Sequence, residues 1–150
     1  MPTTNQPWKS APIPDYREVL EFLEQLRPGG PWVLTAIIPD GHTTTITAVS
    51  PHEVRHFVHA HIGKQNLYYS LNPTRKPVSK KAAKPDIAQI EFLAADLDPK
   101  AEETPEQGKE RYYRALSTYQ PGSTALVDSG NGVQALWRLH KPVVLPEPDS

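Results

Sequence analysis

Asp96 and Asp98, separated by one leucine in Ile90-Glu91-Phe92-Leu93-Ala94-Ala95-Asp96-Leu97-Asp98-Pro99, are the residues of this 150-residue chain best placed by type and spacing to do chemistry. The stretch is apolar and closed by a proline, which reads as a β-strand. Successive strand side chains point to opposite faces, so the two carboxylates share a face with Cα atoms roughly 6.5–7 Å apart. Such a pair suits a hard divalent cation, Mg²⁺ or Mn²⁺, which takes oxygen ligands and is commonly held by one or two carboxylates together with substrate phosphates. Asp-Leu-Asp-Pro is equally what a strand running into a turn looks like, because Asp and Pro both favour turns.

Composition narrows the setting. The length fits one domain. With no cysteine, neither a disulfide framework nor a thiolate metal site is available. No run of eighteen apolar residues occurs and the N-terminus lacks the pattern of a signal peptide, so a soluble cytoplasmic protein without a membrane partner is expected. A net charge of −1 gives no global pull towards polyanions, so any such binding must come from a local patch. One exists: Arg75, Lys76, Lys80, Lys81 and Lys84 put five cations into ten residues. This is expected where a polyphosphate or nucleic-acid backbone is met, and also in a solvated polar loop with no partner.

The elements that must position these groups follow from periodicity and punctuation. Residues 1–14 carry four prolines and read as an extended arm. Val19, Leu20, Phe22, Leu23 and Leu26 recur at helical spacing, with Asp15 placed to cap and Pro28-Gly29-Gly30-Pro31 to stop the helix. Strands over 32–39 and 43–49 about Asp40-Gly41 predict a hairpin. Ser50, Pro51 and Glu53 predict a capped helix over 51–61 with Val54, Phe57 and Val58 facing the core. His52, His56, His59 and His61 cluster in it, and His52 and His56 have i, i+4 spacing for a shared metal, though no helical Glu motif accompanies them. A strand over 66–72 would bury Leu67, Tyr69 and Leu71 and turn Asn66, Tyr68, Ser70 and Asn72 to the other face. After the Asp96 strand, Thr104-Pro105-Glu106-Gln107 starts a helix to about Tyr119 that should bury Tyr112, Tyr113 and Leu116. A strand over 124–128, the turn Ser129-Gly130-Asn131-Gly132 and a returning strand over 133–140 form a second hairpin. In it Val133, Ala135, Trp137 and Leu139 should be buried, opposite Gln134, Leu136 and Arg138. From Lys141 onward, three prolines and two acids predict a tail with nothing to pack.

In this order, Asn66-x-Tyr68-x-x-x-Asn72-Pro73, the Asp96-x-Asp98 strand, a helix, and the hairpin Asp128-Ser129-Gly130-Asn131-Gly132-Val133-Gln134-Ala135-Leu136-Trp137-Arg138-Leu139 resemble the catalytic domain of the archaeo-eukaryotic primase superfamily. The likeness is greatest to the primase-polymerases of phages, plasmids and mobile elements. It covers roughly residues 15–142, leaving 1–14 as an arm and 143–150 as a Pro-rich tail. The resemblance implies that Asp96 and Asp98 are catalytic metal ligands for Mg²⁺ or Mn²⁺. It makes Ser129, Gly130, Gly132 and Gln134 nucleotide-side residues, joined by Asn72 and Arg75. The family commonly has a histidine where Gln134 stands. Glutamine can donate a hydrogen bond but carries no positive charge, so Arg138, on the same face, is the candidate to compensate. The implied partners are nucleoside triphosphates and a single-stranded DNA template near Arg75, Lys76, Lys80, Lys81 and Lys84, with a helicase module in a longer protein.

One departure from the family is serious. Its third motif is a further acid on a strand beyond the hairpin, where this chain has its proline-rich tail, and Asp128 is an acid out of order. The resemblance therefore implies either a nucleotidyltransferase with an incomplete site, or a fragment, or a non-catalytic nucleotide- or single-strand-binding module. A metal-dependent glycosyltransferase, which also uses Asp-x-Asp, would need a longer chain. The expected architecture is α+β, with a mostly antiparallel, RRM-like sheet. That sheet should carry the Asp96 strand centrally beside the Ser129 hairpin, with helices on the opposite face and a small N-terminal α/β lobe.

Overall fold

Asp15 caps the first described helix as its position suggests: its carboxylate accepts the Arg17 amide at 2.9 Å and α1 spans Tyr16–Leu26. The computed structural model describes residues 15–38 and 41–148, so the N-terminal arm and Asp40 of the first turn lie outside the described residues. The described chain is α+β, with three helices and two antiparallel three-stranded sheets, and it divides into two compact units between Asp86 and Ile87.

In the first unit, β1 (Trp32–Ile37) is central, flanked by β2 (Thr43–Ala48) and β3 (Asn66–Tyr69). Helix α2 (Pro51–His61) follows β2, with Ser50 Oγ accepting the Glu53 amide at 3.3 Å. Trp32 fastens sheet to helix. Its ring is 1 % exposed, and its Nε1 donates to the carbonyls of Leu23 at 2.9 Å and Arg27 at 3.0 Å, which satisfies an indole that would otherwise cost about 1–3 kcal/mol to bury. Leu23, Trp32, Leu34, Ala36, Ala48, Val54, Phe57 and Val58 form the core, with Leu67 and Tyr69 packed against it. β3 ends at Tyr69, so Leu71 lies beyond the strand, and its carbonyl accepts from Arg27 at 3.1 Å.

The second unit corrects several expectations. Strand β4 (Gln89–Leu97) is an edge, not the centre: the order is β4-β6-β5, with β5 spanning Ala125–Asp128 and β6 Val133–Val144. The reason lies in β6. Adjacent Ala135 and Leu136 are both fully buried, which requires cover on both faces, whereas Leu93, Ala94 and Asp96 of β4 are exposed. The expected burial of one β6 face alone is therefore wrong, since Leu136 is as buried as Ala135 while Trp137 and Leu139 are only half-buried. The tail also begins later than its prolines suggest. Val143 and Val144 pair with Ile90 and Gln89, and Leu145 donates to Ala88 at 3.0 Å. Pro142, which has no N–H to give, falls in an irregularity between Ile90 and Phe92 where ladder bonds are not required of it.

Helix α3 (Pro105–Thr118) starts on a complete capping box between Thr104 and Gln107. It buries less than expected: Tyr112 and Leu116 are half-buried, Tyr113 is exposed, and the helix's one buried residue is Gly108. A Cβ on Gly108 would stand 2.8 Å from Pro99 Cβ and 3.0 Å from Pro99 Cα. The usual helix preference for alanine over glycine, about 1 kcal/mol, is thus opposed by a rigid ring. Gly108→Ala is expected to lower stability by about 1–2 kcal/mol, read as a shift of the urea midpoint at constant slope.

Candidate metal and nucleotide site

The second unit brings the acid strand and the glycine hairpin together. Asp96, next to last in β4, stands directly opposite Gln134 of β6, whose other neighbour is Val127 of β5. Directly opposed antiparallel residues share a face, so the Asp96 and Gln134 side chains are neighbours. The ladder closes at Leu97 and Val133, and one step beyond it Asp98 meets Gly132. A Cβ on Gly132 would collide with the Leu97 carbonyl oxygen and lie 3.1 Å from Asp98 Oδ1. Only a glycine lets the turn come this close. Asp96 and Asp98 are both exposed, and Tyr112 of α3 holds the strand end by donating to the Asp98 carbonyl at 2.7 Å.

The turn is closed on itself. Ser129 N–H donates to the Gly132 carbonyl at 3.0 Å, Gly132 N–H to Ser129 Oγ at 3.2 Å, and Gly130 N–H to Asp128 Oδ1 at 2.8 Å. Gly130 takes φ +93, a conformation that side chains rarely adopt. The amides of Ser129, Gly130 and Gly132 are therefore all spent inside the turn, which meets the acid strand at Gly132.

Asp128 also belongs to the turn. Besides Gly130 it pairs with Lys109 of α3 at 2.9 Å. Partial burial pushes its carboxyl up, but the hydrogen bonds from Lys109 and Gly130 outweigh this and hold it below the ordinary aspartate value. Among the described residues no three carboxylate or imidazole groups are gathered as a metal cage, the helical histidines included. Two exposed carboxylates do fit Mg²⁺ or Mn²⁺ as a site completed by waters and phosphates, which is how Mg²⁺ is usually held.

Arg138 is placed less favourably than expected. Its guanidinium lies 4.6 Å from the Phe92 ring centroid, and Gln134 is four residues away along the strand, about 13 Å. To bring its positive charge beside Gln134, Arg138 would have to leave that ring. Asn72, Arg75, Lys76, Lys80, Lys81 and Lys84 belong to the first unit, and Asp96, Asp98 and the hairpin to the second. Arg75 has structural work, since its Nε donates to the Pro85 carbonyl at 3.2 Å and its amide to the Asp86 carbonyl at 2.8 Å.

Sequence reasoning missed three supports of the site: Lys109, the Tyr112 hydroxyl, and the Glu103–Arg111 pair that fixes the loop before α3. Arg111 donates to Glu103 through Nε at 2.7 Å and through its terminal nitrogen at 2.8 Å. Those bonds, with the Lys100 amide, hold the Glu103 carboxyl down to about 2. The eight-residue spacing of Glu103 and Arg111 spans a loop and a helix turn and has no local signature.

The fold and site define an α+β protein whose two-carboxylate strand end is backed by a glycine hairpin. No protein-family model matches the chain, and no curated protein and no solved structure matches it either. No helix among the described residues is long and apolar enough to cross a membrane.

Proposed function

We propose that this chain is a nucleotide-binding domain of the primase-polymerase type, with an RRM-like second unit. It would hold Mg²⁺ or Mn²⁺ and a nucleoside triphosphate at Asp96 and Asp98, and serve a replication protein of a mobile element. One juxtaposition supports this above all: two motifs remote in sequence, Asp96-x-Asp98 and Ser129-Gly-x-Gly132, meet with Asp96 opposite Gln134 and Gly132 against Asp98. When bound, the metal supplies charge neutralisation for the triphosphate and its leaving pyrophosphate. Asp96 and Asp98 would hold it, and Gln134 would donate a hydrogen bond to the nucleotide. The basic loop of the first unit is the single-strand contact.

A specific observation favours binding over turnover. Asp128, the remaining acid of the hairpin, is committed to Lys109 and Gly130, so the two-metal clamp of a polymerase lacks a third carboxylate among the described residues. The test is calorimetry of a nucleoside triphosphate with and without Mn²⁺, paired with primer extension. Metal-dependent binding with little or no extension is expected. Binding indifferent to Mn²⁺ would overturn the site, and robust extension would restore the enzyme.

A further inference from the structure

The first unit carries a feature that the Asp96 site does not use. Leu67 and Tyr69 pack into the core, so strand alternation turns Tyr68 to the opposite face of the β2-β1-β3 sheet, where it is 51 % exposed. Tyr68 stands opposite Thr35 on β1, and Thr35 opposite Thr45 on β2, their hydroxyls 2.9 Å apart. Beside Tyr68 a cavity of about 300 Å³ is lined by Thr35, Ile37, Tyr68, Tyr69, Ser70 and Lys81. That volume is at the lower end of small-ligand sites, roughly 300–1,000 Å³.

Lys81 comes from the basic loop, which is fastened over this same face. Thr47, two positions along β2 from Thr45, donates its hydroxyl to the Val78 carbonyl at 2.9 Å and accepts the Val78 amide at 2.8 Å. At the loop's base Arg75 bonds Pro85 and Asp86, and the Asp86 carboxylate accepts the Ala83 amide at 2.8 Å. Lys76, Lys80, Lys81 and Lys84 are all exposed. An aromatic face beside a cavity lined by Lys81, on a loop that carries three further exposed lysines and is anchored at Val78, has the chemistry to take a base with its phosphates.

Resting on the nucleic-acid reading above, we infer that this face of the first unit seats one unstacked base of a single-stranded nucleic acid. The Tyr68 ring is the stacking surface, and Lys81 and its neighbours track the phosphates. A single strand fits better than a free nucleotide, because four lysines spread over nine residues of loop exceed what one triphosphate can engage. It fits better than a duplex, whose bases are already stacked and hide their faces.

The experiment is anisotropy of a labelled oligothymidylate of about 15 nucleotides on the full chain in EDTA, where the Asp96 site cannot contribute through metal. Tyr68→Ala and Tyr68→Leu, both lacking the ring, are expected to weaken binding by roughly 5- to 150-fold, and Tyr68→Phe to bind as wild type does. Lys80→Gln with Lys81→Gln should reduce the slope of log affinity against log salt by about 1.4, about 0.7 for each lost contact. Asp96→Asn with Asp98→Asn should leave this binding intact, so failure of the metal site and failure of the base seat are separately visible. The seat is overturned if Tyr68→Leu binds like wild type, if a duplex of equal length binds as well as the single strand, or if the wild-type chain does not bind the oligonucleotide.

Discussion

Asp96→Asn combined with Asp98→Asn should abolish the effect of metal on triphosphate binding. In Mn²⁺ the wild-type chain binds more tightly than the double variant, by at least about 100-fold, because even residues that only support a metal ligand cost 10–100-fold when lost. In EDTA the order inverts. Two exposed carboxylates then face a polyanion with nothing between them, at about 1 kcal/mol of repulsion per close pair in water, so removing their charges improves binding several-fold. Stability should hardly move, since both side chains are exposed and Tyr112 bonds the Asp98 main-chain carbonyl, which asparagine keeps. Asp128→Asn is the matched control: it still accepts the Gly130 amide, loses only the charge facing Lys109, and should retain Mn²⁺-dependent binding. Titration calorimetry in both buffers decides. Equal affinities for wild type and double variant in Mn²⁺ would remove Asp96 and Asp98 from the site.

Much of this geometry was legible because local signals and tertiary outcome agree. Asp15, Ser50 and Thr104 each cap the helix they precede, and Ser129-Gly-Asn-Gly turns the hairpin that brings Gln134 beside Asp96. What escaped depends on neighbours that no local pattern names. The edge position of β4 follows from cover on both faces of β6, visible in the sequence only as the adjacent apolar pair Ala135-Leu136. Val143 and Val144, set among prolines, pair because Gln89 and Ile90 offer an open edge that outweighs their context. Lys109 and Tyr112 reach the site from a helix whose apolar spacing pointed to burial. The loop from Arg75 to Lys84 reads as solvated by composition, yet Thr47, more than twenty-five residues earlier, fixes its middle.

Gly132→Ala is the smallest change that should take the site apart. The added methyl has no room, because the obstruction is the Leu97 carbonyl, a main-chain atom held by the β4–β6 ladder, and not the end of a flexible side chain. To admit it, the hairpin must withdraw from the strand end, which opens the Leu97–Val133 pair and then the pair Asp96–Gln134. Overpacking of this kind costs about 1–3 kcal/mol, and with backbone on both sides the upper end is expected. Gly122→Ala sets the baseline: nothing lies within 4 Å of a Cβ there and φ is not positive, so it should be neutral or stabilising by up to about 1 kcal/mol. The difference between the two, read as urea midpoints at matched slopes, isolates the contact from the general effect of adding a methyl to glycine. Because the same movement separates Asp98 from the turn, Gly132→Ala should also lose Mn²⁺-dependent triphosphate binding at temperatures where the chain remains folded. If it keeps both its stability and that binding, the hairpin does not press on the acids, and the juxtaposition that carries the proposed function fails with it.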